Sequence, residues 1–333
     1  MQKKNKKYLI TGGLGFIGSA ISNYLIREGH SVVIFDNLSR GKKKRVLSKS
    51  QNLKIINGDI RDYEKFYKSC KGIDAVIHLA YINGTKFFYK KPTEILEIGV
   101  KGITNVLDVC KKRKIKELIL ASSSEVYQTP SKIPTDENES LKIPDIYNPR
   151  YSYGGGKILT ELMGIHYGKR YFKKLVIFRP HNVYGPDMGN EHVVPEFINR
   201  FKKITAKKNS FKIQGTGNEI RSFIFINDFI DAFDLILKKG KHLEIYNIGT
   251  SEKLNIKKLA FIISDILKKK IKIKKTSIQK GGTLVRFPNI SKIKNMGFKQ
   301  KFKIRQGLKK TIDWHKVNFH KLKKFNTSYI HKK

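Results

Sequence analysis

The stretch Lys7-Tyr8-Leu9-Ile10-Thr11-Gly12-Gly13-Leu14-Gly15-Phe16-Ile17-Gly18 constrains this chain more than any other. Tyr8 to Ile10 is an apolar run of the kind a buried strand uses. Glycines at 12, 15 and 18 follow, and Phe16 to Ile26 is apolar at helical spacing. Strand, glycine turn and helix, in that order, are what a phosphate-binding turn requires. Glycine permits the tight turn and lets backbone approach a pyrophosphate closely. The helix start then offers unpaired N–H groups and the positive end of its dipole to the anion. Alone, the same glycines are equally a plain turn.

A second strand, Ser31 to Phe35, ends at Asp36, 18 residues after Gly18. A carboxylate there is placed to accept hydrogen bonds from an adenosine ribose and to repel a 2′-phosphate, so NAD is expected over NADP. Arg40 weakens that preference, because an arginine can receive the phosphate. Strands and helices then alternate through the first half, which predicts a doubly wound parallel sheet. Leu53–Asn57, Ala75–Leu79, Leu118–Ala121 and Leu175–Phe178 read as its further strands. Asp59 ends the third, and either meets the adenine amino group or caps the next helix. His78-Leu79-Ala80-Tyr81 closes the fourth. Helices are expected over Ile95–Lys112 and from Tyr153 to about Arg170, separated by a Pro-rich loop, Thr129 to Pro149, long enough to suggest function.

Beyond Pro180 the alternation loosens. Val194–Ile204, Asp228–Leu237, Leu254–Leu267 and Ile304–Val317 read as helices, and Phe211–Gln214, Ser222–Ile226 and Ile245–Ile248 as extended segments. The tail from Lys321 is expected to fray.

The chain carries 69 Lys+Arg against 27 Asp+Glu, a formal +42 over 333 residues. The lysines are spread throughout, with no zinc finger, basic zipper or RNA-binding aromatic motif, so a solvated surface is favoured over nucleic-acid binding. Such a field still attracts small anions. Two cysteines, Cys70 and Cys110, imply no disulfide framework. No signal peptide, membrane-length apolar run or metal site is read, and a cytoplasmic protein is expected.

Tyr153 and Lys157 share one helix face. A phenol of pKa near 10 is a poor base at neutral pH. An ammonium one turn away, with a positive nicotinamide ring, would favour its phenolate, which could take a hydroxyl proton as hydride leaves the same carbon. Ser123 could share that proton.

Together these residues resemble the extended short-chain dehydrogenase/reductase family, in its NAD-dependent nucleotide-sugar epimerase/dehydratase branch, from about Lys7 to Trp314. The glycine stretch, Asp36-Asn37-Leu38-Ser39-Arg40-Gly41, Gly58-Asp59-Ile60-Arg61-Asp62, Ser123, Tyr127, Tyr153/Lys157, Arg179 to Pro186 and Arg221-Ser222-Phe223 carry it. The resemblance implies a Rossmann-type sheet with a smaller C-terminal α/β domain. Residues 1–178, completed by about 222–250, would bind NAD; 179–221 and 251–320 would bind a nucleotide sugar; 321–333 would be the tail.

The resemblance also implies a catalytic set of Ser123, Tyr153 and Lys157. Cofactor contacts would come from Gly12, Gly15, Phe16, Ile17, Gly18, Asp36, Asn37, Arg40, Asp59, Ile60, Leu79, Ala80, Tyr81, Tyr153, Lys157 and Pro180. Asn182, Gln214, Arg221 and Arg286 would lie near the substrate, the arginines on its pyrophosphate, and the subunits would pair through the helices near Ile95–Lys112 and Tyr153–Arg170.

Three departures stand out. Gly99 replaces an asparagine common in relatives, Gly154-Gly155-Gly156 fill a helical turn where each glycine costs roughly 0.8–1 kcal/mol against alanine, and Asn289 follows Pro288 where an aspartate is usual. Glu125 bears on the reaction. In the dehydratases and decarboxylases it resembles, a glutamate there serves as a second acid/base, but Ser124 stands where a dehydratase aspartate would. An epimerase is expected, with a 4,6-dehydratase or a UDP-glucuronate decarboxylase-like enzyme as alternatives, and an NAD-binding regulatory protein as the non-enzyme alternative.

Overall fold

The computed structural model describes residues 5–47, 50–277 and 281–318. The tail expected at 321–333 lies outside the described residues.

The apolar runs of the first half form parallel strands β1 (Lys7–Thr11), β2 (Ser31–Asp36), β3 (Leu53–Asn57), β4 (Ala75–His78), β5 (Glu117–Ala121) and β6 (Lys174–Pro180). Between them run helices α1 (Phe16–Arg27), α2 (Tyr63–Ser69), α3 (Thr85–Lys90), α4 (Pro92–Lys112) and α5 (Tyr151–Tyr171). The second half contributes β7 (Val183–Tyr184), α6 (Val193–Phe201), β8 (Ser210–Ile213), β9 (Ile220–Arg221), β10 (Ile224–Phe225), α7 (Ile226–Lys239) and β11 (Glu244–Ile248). After these come β12 (Leu254–Asn255), α8 (Ile256–Ile266), β13 (Lys272–Lys275), β14 (Val285–Arg286), α9 (Ser291–Asn295) and α10 (Ile304–Val317).

The main sheet has the order β11-β6-β5-β4-β1-β2-β3. Alternation along each strand sends side chains into two layers. Tyr8, Ile10, Val32, Ile34, Val176 and Phe178 join α1 and α7 on one face. Leu9, Val33, Phe35, Leu118, Leu120, Leu175 and Ile177 join α2 and α4 on the other. Strands buried on both faces are why the sequence shows continuous apolar runs. The chain leaves β1 toward β2 and β3, then crosses to β4 on its other side. That is the topological switch at which such sheets bind ligands.

Several boundaries differ from expectation. Pro92 opens α4, three residues before Ile95, because proline fits a first helical position. The strand expected over Ser222–Ile226 is reduced to two-residue β10, after two-residue β9 has ended at Arg221, and α7 starts at Ile226. The helix expected from Leu254 starts at Ile256, capped by Asn255, whose side chain accepts from Lys258 N. Strands as short as β7, β9, β10, β12 and β14 have too few residues to show a period. Parallel β9 and β14 pair Arg221 with Arg286 in register, which sets both arginines on one face. No helix among the described residues is long and apolar enough to cross a membrane.

Candidate active site

The glycine turn leaves β1 at the switch point. Gly12 has φ 69°, in the left-handed region, and a Cβ on it would lie 2.9 Å from the Ala80 backbone. A Cβ on Gly18 would fall on the Gly12 carbonyl oxygen. The three expected glycines therefore serve a tight turn and close helix–strand contact. The α1 N-cap, Gly15, makes no side-chain cap, and no acidic residue lies in the first turn. The amides of Phe16 and Ile17 thus belong to a helix start with nothing of the chain's own set against its dipole, which fits a dinucleotide pyrophosphate.

Asp36 is buried, and accepts from Leu14 N at 3.0 Å and Leu38 N at 2.8 Å. Burial raises its pKa and those amides oppose the rise. Asn37 donates from Nδ2 to Asp59 at 3.1 Å. Asp59 is gripped by Arg61 through two hydrogen bonds of 2.9 Å, which pull its carboxyl down to about 2. It does not cap α2; Asp62 does, accepting from Lys65 N. The Ile60 side chain belongs to the core rather than to a ligand surface, and its carbonyl accepts from Asn105.

Arg40, a candidate 2′-phosphate ligand, is engaged elsewhere. It donates to the Asn83 carbonyl at 2.6 Å and to Glu191 at 3.1 Å. Two further cations of the same loop, Lys42 and Arg45, bind Asp187 at 2.9 and 3.0 Å. These contacts tie the loop after β2 to the segment after β7.

The amides of Leu79 and Ala80 both donate to Thr11 Oγ1 at 3.1 Å, and the same oxygen meets His78 Nδ1 at 2.8 Å. Burial, with Lys157 nearby, pulls His78 down to about 3 and keeps it neutral. Pro180 ends β6 beside Ile248.

Ser123 follows β5, and its Oγ accepts from Glu125 N at 3.1 Å. Tyr153 lies in the first turn of α5. Its ring stacks on Phe88 of α3 at 5.0 Å and meets Tyr81 edge-on at 5.0 Å. Burial raises its pKa, while hydrogen bonding with Ser123 and the more distant Arg40 charge lower it. Lys157, expected to favour the phenolate, sits differently. Its Nζ donates to the Ala121 carbonyl at 2.7 Å and stands 5.9 Å from the Tyr153 ring centroid but 4.1 Å from that of Tyr81. Burial lowers Lys157 to about 7.

Each glycine of the Gly154–Gly156 turn faces a different neighbour. A Cβ on Gly154 would meet the Gln128 amide and the Glu125 carbonyl, one on Gly155 would meet Ile143 Cδ1 at 3.1 Å, and one on Gly156 would overlap the Tyr81 hydroxyl. Contacts within this chain account for the turn without a partner's backbone. Asn289 is bound at its side chain by Ser291 and at its carbonyl by Asn247.

The other end of the site is a charged cluster. Glu125 accepts from Arg286 Nη1 at 2.5 Å and lies 3.6 Å from Arg150 Nη2. Burial alone would raise its pKa, but Arg286, Arg150 and Arg221 outweigh burial and hold it below the ordinary carboxylate value. Burial and the Arg286 charge push Arg221 down to about 9. Its guanidinium also donates to the carbonyls of Ile220, Thr283 and Leu284. Three guanidinium groups, with the carboxylates of Glu125 and the more distant Glu219 acting on them, leave the cluster net positive, and Nε of both Arg150 and Arg286 is buried without a partner. That is the charge and donor supply a diphosphate requires.

Sequence reasoning missed Arg150 and Phe88, which no spacing singles out. Asn182, with φ 35°, holds the Ser222 carbonyl through Nδ2 at 2.9 Å. Gln214 is exposed beside the Gly215–Gly217 turn. Among the described residues, no group of three or more His, Cys, Asp or Glu side chains could hold a metal.

Comparison with known proteins gives the family. The model of the NAD-dependent epimerase/dehydratase family matches residues 8–249. A Methanocaldococcus jannaschii protein, provisionally named a UDP-glucose 4-epimerase, is 32% identical over 319 residues, 93% of this chain and 98% of the relative. A Bos taurus dTDP-D-glucose 4,6-dehydratase is 30% identical over 332 residues, covering 96% and 91%. The solved UDP-N-acetylglucosamine 4-epimerase from Methanobrevibacter ruminantium, in complex with UDP-N-acetylmuramic acid, is 28% identical with a TM-score of 0.84, covering 95% of this chain and 100% of that one. With a family match over most of its length and a glycine turn built for a dinucleotide, the chain is an enzyme of the NAD-dependent epimerase/dehydratase family, and NAD is its cofactor.

Proposed function

We propose that this enzyme is a nucleotide-sugar epimerase: it oxidises a sugar hydroxyl, keeps the keto sugar bound, and returns the hydride to the opposite face. When bound, NAD would supply the hydride acceptor and a positively charged ring. In this reading Tyr153 takes the hydroxyl proton and gives it back, and Ser123 shares it. Lys157 contributes a buried ammonium beside them, while Arg150, Arg221 and Arg286 hold the diphosphate. Residues 1–178 with 222–250 form the cofactor domain, and 179–221 with 251–320 the sugar-nucleotide domain.

The observation that carries the choice of epimerase is the state of Glu125. A dehydratase or decarboxylase reading needs it free for proton transfer at or near carbon. Here it is ion-paired to Arg286, flanked by Arg150, and held ionised. Such a carboxylate is a weak base and an efficient organiser of arginines. Epimerisation at the oxidised carbon breaks no neighbouring C–H bond and needs no second base.

The test is turnover of a panel of nucleotide sugars in deuterated water, followed by NMR. An inverted centre with no deuterium on adjacent carbons is expected. Deuterium beside the oxidised carbon, together with a Glu125→Gln enzyme that stalls as NADH, would instead establish elimination.

We also propose a homodimer formed through α4 and α5. Leu96 and Val100 on α4 and Leu162 on α5 expose apolar side chains. A monomer in light scattering would refute it.

A further inference from the structure

Tyr81 stands three residues beyond the end of β4, beside Tyr153 and Lys157. Its ring lies 4.1 Å from Lys157 Nζ, close enough for cation–π attraction. The ring also meets Tyr153 edge-on at 5.0 Å. Its hydroxyl runs the other way, buried and without a hydrogen-bond partner. It ends between α4 and α5, against two backbone positions that have no side chain. A Cβ on Gly99 or on Gly156 would overlap Tyr81 Oη. Two of the unusual glycines in the sequence are thus notches cut for one phenol.

We propose that Tyr81 is the positioning residue of this site: its ring carries the Lys157 ammonium, and its hydroxyl keys that ring to α4 and α5 through the notches at Gly99 and Gly156. The proposal rests on the reading of Lys157 as part of the cofactor and catalytic machinery. The ammonium has few other ways to be held. Its hydrogen bond goes to the Ala121 carbonyl of β5. The titratable groups around it are Tyr81 and neutral His78 from β4, and Tyr153 and Glu161 from α5. Glu161 is itself engaged by Arg179 at 2.6 Å and by Ser122. A π face is the remaining support on the side of β4. The edge contact with Tyr153 makes one side chain set the spacing between the phenol and the ammonium.

The keyed fit is tested by thermal melting of the purified full chain, without ligand. Gly156→Ala should lower the melting temperature by placing a methyl on Tyr81 Oη. Tyr81→Phe in the same chain leaves Cζ, 3.3 Å away, as the next atom, so the double variant should regain most of the loss. Gly99→Ala also meets Cζ, at 2.6 Å, and Tyr81→Phe should not rescue it. Additive effects at Gly156 would overturn the fit.

Positioning is read from NAD titrations between pH 6 and 9. Affinity should fall as Lys157 loses its proton. Tyr81→Leu keeps an apolar group but removes the π face, so that fall should move to lower pH, with NAD binding about 2- to 30-fold weaker at neutral pH. Tyr81→Phe should bring the fall back to its wild-type position. A pH dependence that is the same in Tyr81→Leu and wild type would leave Tyr81 as packing and overturn the proposal. A wild-type chain that binds no NAD would defeat the reading of the whole site, whereas the melting cycle speaks to the notches alone.

Discussion

The two ends of this site are built from different materials. The cofactor end is mostly backbone: glycines with no room for a Cβ, an uncapped helix start, and Asp36, whose two oxygens are held by main-chain amides. The end proposed to hold the sugar nucleotide is side chain, with Arg150, Arg221 and Arg286 gathered around Glu125. A site made of backbone fails when atoms are added to it. A site made of charged side chains fails when atoms are taken away. Tyr153 stands between the two, and the comparison says that it should matter to turnover and to neither binding event.

The largest effect should therefore come from Tyr153→Phe. It keeps the stacked ring on Phe88 and removes the acid/base group, a loss of roughly 10²–10⁴-fold in turnover. Calorimetry should find NAD and nucleoside diphosphate bound as in wild type; a weakened affinity for either would mean that Tyr153 belongs to one of the ends.

Arg286→Ala comes next. It breaks a buried, charged hydrogen bond to Glu125 and removes a phosphate donor, about 2–5 kcal/mol by analogy with truncated charge pairs. The loss should fall on nucleoside-diphosphate affinity and on melting temperature. NAD affinity should hold, and if it fell in parallel the two ends would not be separate.

Gly18→Ala makes the converse test. The new methyl meets the Gly12 carbonyl oxygen, backbone against backbone, so overpacking of about 1–3 kcal/mol is expected. NAD affinity and melting temperature should drop, with nucleoside-diphosphate binding spared.

Asp36→Asn is the mildest. It keeps an acceptor for one of the two main-chain amides, loses the charge and sets an NH2 group against the other amide, about 1 kcal/mol, read as a few-fold loss of NAD affinity and a lower melting temperature. Discrimination against NADP should relax by a similar factor. An unchanged NAD/NADP ratio would move the choice of cofactor to Arg40.

The same difference of material explains what could be read from sequence. A backbone site needs its residues consecutive, because a turn and a helix start are local objects. Gly12, Gly15 and Gly18 therefore announce themselves by spacing, and Asp36 by its place at the end of an apolar run. A side-chain site can draw from anywhere. Arg150, Arg221 and Arg286 meet only because β9 and β14 pair in register and because the loop before α5 returns to them. Arg221 and Arg286 were reached through family resemblance, and Arg150 not at all. The Tyr81 notches were half legible. Gly99 and Gly156 were visible as departures, but the phenol that explains them lies 18 residues before the first and 75 before the second. Four-residue spacing gives Tyr153 and Lys157 a shared helix face but not the direction of a long, flexible side chain, so the turn of Lys157 Nζ toward Tyr81 and the Ala121 carbonyl is not legible in the sequence.

The loop after β2 has a consequence for how long a cofactor stays. Arg40 reaches Glu191 and the Asn83 carbonyl, while Lys42 and Arg45 close on Asp187. Arg45 is largely withdrawn from solvent, so this latch is not screened as an open surface pair would be. A dinucleotide bound at the glycine turn is expected to leave more slowly while these contacts hold the loop closed. Asp187→Asn, which removes the charge that Lys42 and Arg45 close on, should shorten the residence time of the dinucleotide while barely altering turnover, and added salt should have little effect on it. On the proposed reaction, which takes a hydride and gives it back within one cycle, the carrier has no need to exchange with the surrounding pool, and such a latch would make it, in kinetic terms, a part of the protein.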